Sequence, residues 1–145
     1  MKVLVQRVIS SSVEVEGNIV GKINNGFLLL VGFTEGDTSK EIDYMVDKVM
    51  NLRIFDDENG VMNKSLLDTK GGILSISQFT LYADASKGRR PSYVKALGGK
   101  EATLLYDEFN NKLRETGVHI ETGIFGAEMK VNLINDGPVT IMLEK

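Results

Sequence analysis

The chain has no cysteine and no tryptophan, two prolines and one histidine. Without cysteine there are no disulfides, no thiol nucleophile and no cysteine-bearing zinc site. His119 alone cannot build a multi-histidine metal site, and the aspartates and glutamates are scattered as on a solvated surface, so neither a metal nor an organic cofactor is expected. No apolar run approaches the length of a membrane span. Near the N-terminus Gln6-Arg7 interrupts Val3-Leu4-Val5, far short of a signal-peptide core. A soluble cytoplasmic protein with no membrane partner is the expectation. A net charge of −3 and a pI near 5.2 exclude a basic coat, although a local patch is still able to hold phosphates.

What is present is ordinary globular material: 145 residues, 42% apolar and 26% charged, enough for one domain over residues 1–145 with a real core. Val3, Val5, Val8, Val13 and Val15 mark a half-buried strand. Ile19 to Ile23 reads as its return, and Asn25-Gly26 as a hairpin turn into Phe27-Leu28-Leu29-Leu30-Val31. The opening third therefore reads as a β-meander, its third strand apolar on both faces and central. Thr38-Ser39-Lys40-Glu41 is a capping box ahead of a helical stripe of Ile42, Met45, Val46 and Val49. Leu52 to Phe55 reads as a short strand, residues 56–60 as a polar loop, and Gly72 to Tyr82 as the next strong segment. A second helix is expected from about Lys100 to Thr116, stopped by Gly117. Val118 to Glu121, Met129 to Ile134 and Val139 to Leu143 close the chain as strands. The order predicts a single-domain α/β fold, a mixed sheet layered against two main helices on one side.

Two places break the pattern. Asp136-Gly137 between apolar runs reads as a two-residue hairpin turn, yet Pro138 follows at once, an unusual place to begin a strand and the kind of bond that is most often cis. Within Gly72 to Tyr82 the alternation changes phase near Ser77-Gln78. Either a bulge or strand end there re-aims side chains and frees backbone N–H groups, or the strand merely passes from core to surface.

Other candidates read as bland. Lys87, Arg89 and Arg90 concentrate charge in a loop, for which a solvated loop is favoured over a phosphate grip. His119 has no fixed partner and reads as structural. Ser77 and Thr80 carry hydroxyls, but neither lies in a Gly-x-Ser-x-Gly elbow and no base is evident. The acidic pair Asp56-Asp57 reads as solvated.

Ser77-Gln78-Phe79-Thr80-Leu81 and Asn135-Asp136-Gly137-Pro138-Val139-Thr140 together resemble the two signature motifs of the D-aminoacyl-tRNA deacylases. Gln6-Arg7-Val8, Gly88-Arg89-Arg90-Pro91-Ser92-Tyr93 and Phe125-Gly126-Ala127 with Met129 fall in the family's order, so the resemblance covers essentially the whole chain. Departures are small: Tyr93 replaces a frequent phenylalanine, and Glu128 occupies a variable position.

The resemblance implies a three-layer α/β/β fold and a homodimer in which a cis Gly137-Pro138 segment reaches into the other subunit's site. There two main-chain carbonyls would hold the substrate's α-amino group, so that an L side chain clashes with protein while a D side chain escapes; glycyl-tRNA would pass as well. The reaction would be hydrolysis of the ester at the 3′ end of aminoacyl-tRNA. By the same resemblance, N–H groups of Phe79 and Thr80 would face the oxyanion, with Ser77 and Gln78 shaping the site. Phe125 and Met129 would wall the terminal adenine, and Arg7 would brace the Gly-Pro loop. Thr80 as nucleophile competes with attack by water assisted by the substrate's ribose hydroxyl, and the missing base favours water. A non-catalytic binder of RNA ends and a conventional Ser/Thr hydrolase are the other classes to separate.

Overall fold

The computed structural model describes residues Met1–Lys145. Its organising strand is β1 (Lys2–Val15), which alternates buried and half-buried residues along most of its length. One edge of β1 is shared: β3 (Gly26–Gly32) pairs antiparallel with residues 2–8, and β2 (Asn18–Ile23) with residues 11–15. The meander is thus corrected, because Asn25-Gly26 leads β3 back to the first half of β1 and not to β2. Beyond β3 the sheet continues in parallel through β6 (Gly72–Ser77) and β7 (Ile120–Thr122). Parallel neighbours need crossovers, and these carry the helices. The third strand is central as expected, with β1 on one side and β6 on the other.

The first crossover holds α1 (Ser39–Asn51), a two-stranded hairpin of β4 (Phe55–Asp56) and β5 (Met62–Lys64), and the single turn α2 (Leu66–Thr69). The capping box forms as read: the Thr38 hydroxyl accepts from the Lys40 N–H at 3.3 Å, and Glu41 accepts from the Thr38 N–H at 2.8 Å. The strand expected over Leu52–Phe55 starts only at Phe55. Helix α2 was not read, since one turn capped by Ser65 leaves no periodicity to detect. The second crossover carries α3 (Gly99–Glu115).

Alternate residues of the sheet feed two cores. Val3, Val5, Phe27, Leu29, Val31 and Ile73 face α1 and α3, meeting Ile42, Met45, Val49, Tyr106, Phe109 and Leu113. On the other face Val8, Val13, Ile23, Leu28, Leu74 and Ile76 close a smaller core, where the β2 end of the sheet curls over β6. A Cβ on Gly21 would lie 2.9 Å from the Thr122 carbonyl oxygen, so only glycine allows that approach. The result is helices on one side of a mixed sheet and the sheet's own curled half on the other. No helix is long and apolar enough to cross a membrane.

The last strand corrects the hairpin reading. Residues Lys130–Glu144 form one strand, β8, antiparallel to β1 along its whole length. Gln6 pairs with Thr140 and Val8 with Asn135, so Asp136 to Val139 stand opposite the single residue Arg7. The Asp-Gly-Pro segment is a looped-out bulge in a continuous strand.

Candidate active site

Strands β3 and β6 run parallel and end together, which opens a cleft at their carboxyl ends, the usual place for a ligand beside a parallel sheet. The cleft encloses roughly 300 Å³. Ser77, Gln78 and Phe79 form one wall and Phe125 and Met129 another, with Ala102 of α3 also at the lining. The phase change read in the sequence is a strand end: β6 stops at Ser77 and a 3-10 turn spans Phe79–Tyr82. Its first N–H groups, those of Phe79 and Thr80, have no acceptor within the turn, which makes them available donors. Gln78 is the pivot. Its N–H donates to the Val31 carbonyl at 2.7 Å, and its side-chain amide donates to the Thr80 hydroxyl. Gly32 permits this packing, because a Cβ there would lie 2.8 Å from the Gln78 carbonyl oxygen.

Thr80 therefore sits beside the cleft with an amide as its partner, and no carboxylate, imidazole or amine is hydrogen-bonded to it. Behind the cleft the buried Tyr106 phenol donates to the Ser75 carbonyl at 2.8 Å, while its ring packs against Phe125 with centroids 5.7 Å apart. Burial pushes the Tyr106 phenol above its ordinary pKa, so it stays a neutral donor. The Gly123 N–H reaches the same carbonyl at 3.1 Å, tying the segment before Phe125 to β6. Sequence reasoning missed Tyr106, whose helical position marks it only as core.

The second group of site residues lies elsewhere in the chain. The Gly137–Pro138 peptide bond is cis, and both residues are exposed. Arg7, 7% exposed, lies under the bulge. Its Nη1 donates to the Ile54 carbonyl at 2.6 Å, its Nε is 3.1 Å from Asp136 Oδ2, and Asp56 is 3.6 Å from Nη1. Asp56, read as solvated, is thus an outlying partner of a buried guanidinium. Asn135 closes the base of the bulge, its amide donating to the carbonyls of Arg7 at 2.9 Å and Val139 at 3.0 Å. That clamp was also missed, since nothing in the motif says which side chain holds the backbone. Gly137 has φ +113°, a conformation that disfavours any side chain.

Within one chain, then, Ser77, Gln78, Phe79, Phe125 and Met129 come together, Thr80 adjoins them, and Arg7, Gly137 and Pro138 form a separate cluster that does not line the cleft. His119 pairs with Glu121 at 3.1 Å and lies outside the cleft lining. No three histidine or acidic side chains are grouped to hold a metal ion.

A one-domain mixed-sheet α/β fold with a cleft at its parallel strand ends and a looped-out Gly-Pro edge defines a narrow class of protein. The family model described as D-Tyr-tRNA(Tyr) deacylase matches residues 4–144, and the chain belongs to that hydrolase family. It is 57% identical over 144 residues to a D-aminoacyl-tRNA deacylase of Clostridium tetani, covering 99% of this chain and 97% of the relative. It is 56% identical to a protein of the same name from Bacillus pumilus, covering 99% and 98%. Among solved structures, a c-Myc DNA unwinding element binding protein superposes with a TM-score of 0.94 at 43% identity, covering 100% of this chain and 99% of that one. A probable eukaryotic D-amino acid tRNA deacylase shares the fold, with a TM-score of 0.85 at 18% identity over 98% and 97% of the two chains.

Proposed function

We propose that this protein hydrolyses the ester of D-aminoacyl-tRNA, and of mischarged glycyl-tRNA, releasing the free amino acid and tRNA as a chiral proofreading step in the cytoplasm. The observation that carries the reading is the divided site. A cleft with free N–H donors lies at one end of the sheet, and an exposed Gly137-Pro138 loop that this cleft does not contain lies on β8.

The terminal adenosine enters the cleft between Phe125 and Met129. The ester carbonyl then faces the N–H groups of Phe79 and Thr80, which stabilise the oxyanion as it forms. An aminoacyl ester is already activated, so holding it against water in the right geometry supplies much of the remaining rate. Water attacks with the substrate's ribose hydroxyl as proton relay; Thr80, hydrogen-bonded to the Gln78 amide, takes no nucleophilic part. Ser77 and Gln78 fix the strand end.

Selectivity comes from a second copy of the chain. Its Gly137 and Pro138 carbonyls accept from the substrate's α-amino group, leaving room for hydrogen or a D side chain and none for an L side chain. Arg7, Asp136 and Asn135 hold those carbonyls in place. Two features support the homodimer. The outer edge of the long strand β8 has no partner, and Ile9, Ile134 and Met142 are 56%, 57% and 47% exposed beside the Gly-Pro bulge.

The direct test is incubation with D-tyrosyl-tRNA and L-tyrosyl-tRNA. Selective release of D-tyrosine supports the reading. Equal release from both overturns the selectivity, binding of both without turnover supports the non-catalytic binder, and inactivation by a serine-directed reagent supports the Ser/Thr hydrolase.

A further inference from the structure

Five of the chain's seventeen lysines and arginines fall within residues 87–100: Lys87, Arg89, Arg90, Lys95 and Lys100. That stretch contains no aspartate or glutamate, in a chain that has twenty of them and a net charge of −3. All five cations are exposed and none makes a salt bridge, whereas five of the other twelve lysines and arginines, Lys2, Arg7, Lys64, Lys112 and Lys130, pair with carboxylates. A solvated loop needs no such segregation of charge.

The loop is also fixed to the cleft. Asp84 and Ser92 exchange backbone hydrogen bonds of 2.8 and 2.9 Å across its base. Just beyond, the Tyr93 ring meets Phe79 of the cleft wall edge-on, with centroids 5.2 Å apart. Further along, the Thr34 hydroxyl donates to the Lys95 carbonyl at 2.6 Å and the Leu97 N–H to the Phe33 carbonyl at 2.9 Å, and both Phe33 and Leu97 line the cleft. The loop that carries the cations is thus anchored at its base beside the cleft, next to two half-exposed aromatic rings. Unpaired cations beside exposed aromatics are the pairing of features with which proteins hold single-stranded nucleic acid.

We propose that the segment Lys87–Lys100 is a phosphate-binding subsite for the single-stranded RNA leading away from the terminal nucleoside, with Lys87, Arg89 and Arg90 as its main contacts. This rests on the reading of the cleft as the seat of a tRNA 3′ end. It is a binding subsite and touches no reacting atom. Because the rest of the surface is acidic, it supplies the local attraction that the chain's overall charge denies a polyanion.

The test uses the full chain with Lys87, Arg89 and Arg90 all changed to Gln, and a control in which Lys22, Lys40 and Lys70, exposed and unpaired elsewhere, are changed to Gln. Binding of uncharged tRNA is measured against salt, and hydrolysis of D-tyrosyl-adenosine, which has no phosphate, is measured in parallel. The loop variant is expected to bind tRNA at least about tenfold more weakly at low salt, with a log–log salt slope flattened by about 0.7 per lost contact. The control variant should bind as the parent does, and the nucleoside ester should be hydrolysed equally by all three proteins. Unchanged tRNA affinity and slope in the loop variant overturns the proposal, as does an equal loss in the control. If the parent protein hydrolyses no ester yet shows the loop-dependent salt slope, the subsite stands and the deacylase reading fails.

Discussion

Thr80 is the residue on which the two mechanisms divide. Its hydroxyl is held by the Gln78 amide and by no base, so Thr80→Ala should keep deacylation of D-tyrosyl-tRNA within about tenfold of the parent, since a water nucleophile loses only a neighbour. A loss of several orders of magnitude in single-turnover kinetics would restore Thr80 as nucleophile. Tyr106 belongs to the same scale. Tyr106→Phe keeps the ring against Phe125 and removes one hydrogen bond, so urea unfolding should show a loss of about 1 kcal/mol, whereas Tyr106→Ala should cost about 3–5 kcal/mol by emptying part of the core. Equal losses for the two would show that the ring's contact with Phe125 carries nothing. The motif residues were singled out by the resemblance of Ser77–Leu81 and Asn135–Thr140 to a family's two signature motifs; taken alone, Ser77 and Thr80 are hydroxyls without a base. Tyr106, Asn135 and Asp136 were not given their roles, because a buried phenol, a turn-forming amide and a loop acid look alike in sequence whether or not they hold a site together.

Among the elements, the end of β6 shows what periodicity can deliver. The phase change at Ser77-Gln78 located the break, but the 3-10 turn after it is four residues long and leaves no repeat to read. Gly32 across the sheet makes the break possible. Gly32→Ala would press a Cβ against the Gln78 carbonyl at 2.8 Å; the expected outcome is a loss of about 1–3 kcal/mol in stability together with a fall in kcat on D-tyrosyl-tRNA. Parent-like kcat would mean that the strand end need not be held. The β8 bulge was misread for the opposite reason. Asp136-Gly137 carries the local chemistry of a hairpin, and only the pairing of both flanks with the one partner β1 shows that the chain continues in the same direction. The basic loop has its own pH dependence. Hydrogen bonds from Ser86, hydroxyl first and N–H second, hold the Asp84 carboxyl below its usual range. A lowered carboxylate stabilises above its unfolded pKa and loses that contribution as pH falls through the folded value. Amide exchange at Ser86 and in the Lys87–Arg90 loop should therefore speed up below about pH 4, relative to the chemical exchange rate, and remain flat between pH 5 and 8. A change between pH 5 and 8 would point to a different group.

At the scale of the whole molecule, composition removed cysteine chemistry and the strand and helix order indicated the layers. The resemblance implied a site divided between two copies, and the structure adds that, within one chain, the Gly137-Pro138 loop does not line the cleft. Arg7, Asp136 and Asn135 brace the Gly137-Pro138 loop where no cleft of the same chain receives it. Periodicity marked β8 as strand without showing that its outer edge is free. The proposed twofold dimer would account for both observations, since an isologous contact would give each cleft the other copy's loop.

Mixing two damaged subunits tests this most directly. Phe79→Pro removes an N–H donor at the first position of the turn, where proline is tolerated, and should cost about 10²–10³ in rate. Gly137→Ala places a side chain at φ +113° and disables the loop. Each variant alone should be nearly inactive on D-tyrosyl-tRNA. After subunit exchange, a mixed dimer with the site shared between copies has one intact site, so the mixture should recover about a quarter of the parental rate for random pairing of a twofold dimer. No recovery, with mixed dimers verified by mass, would place both halves of the site in one chain and contradict the account.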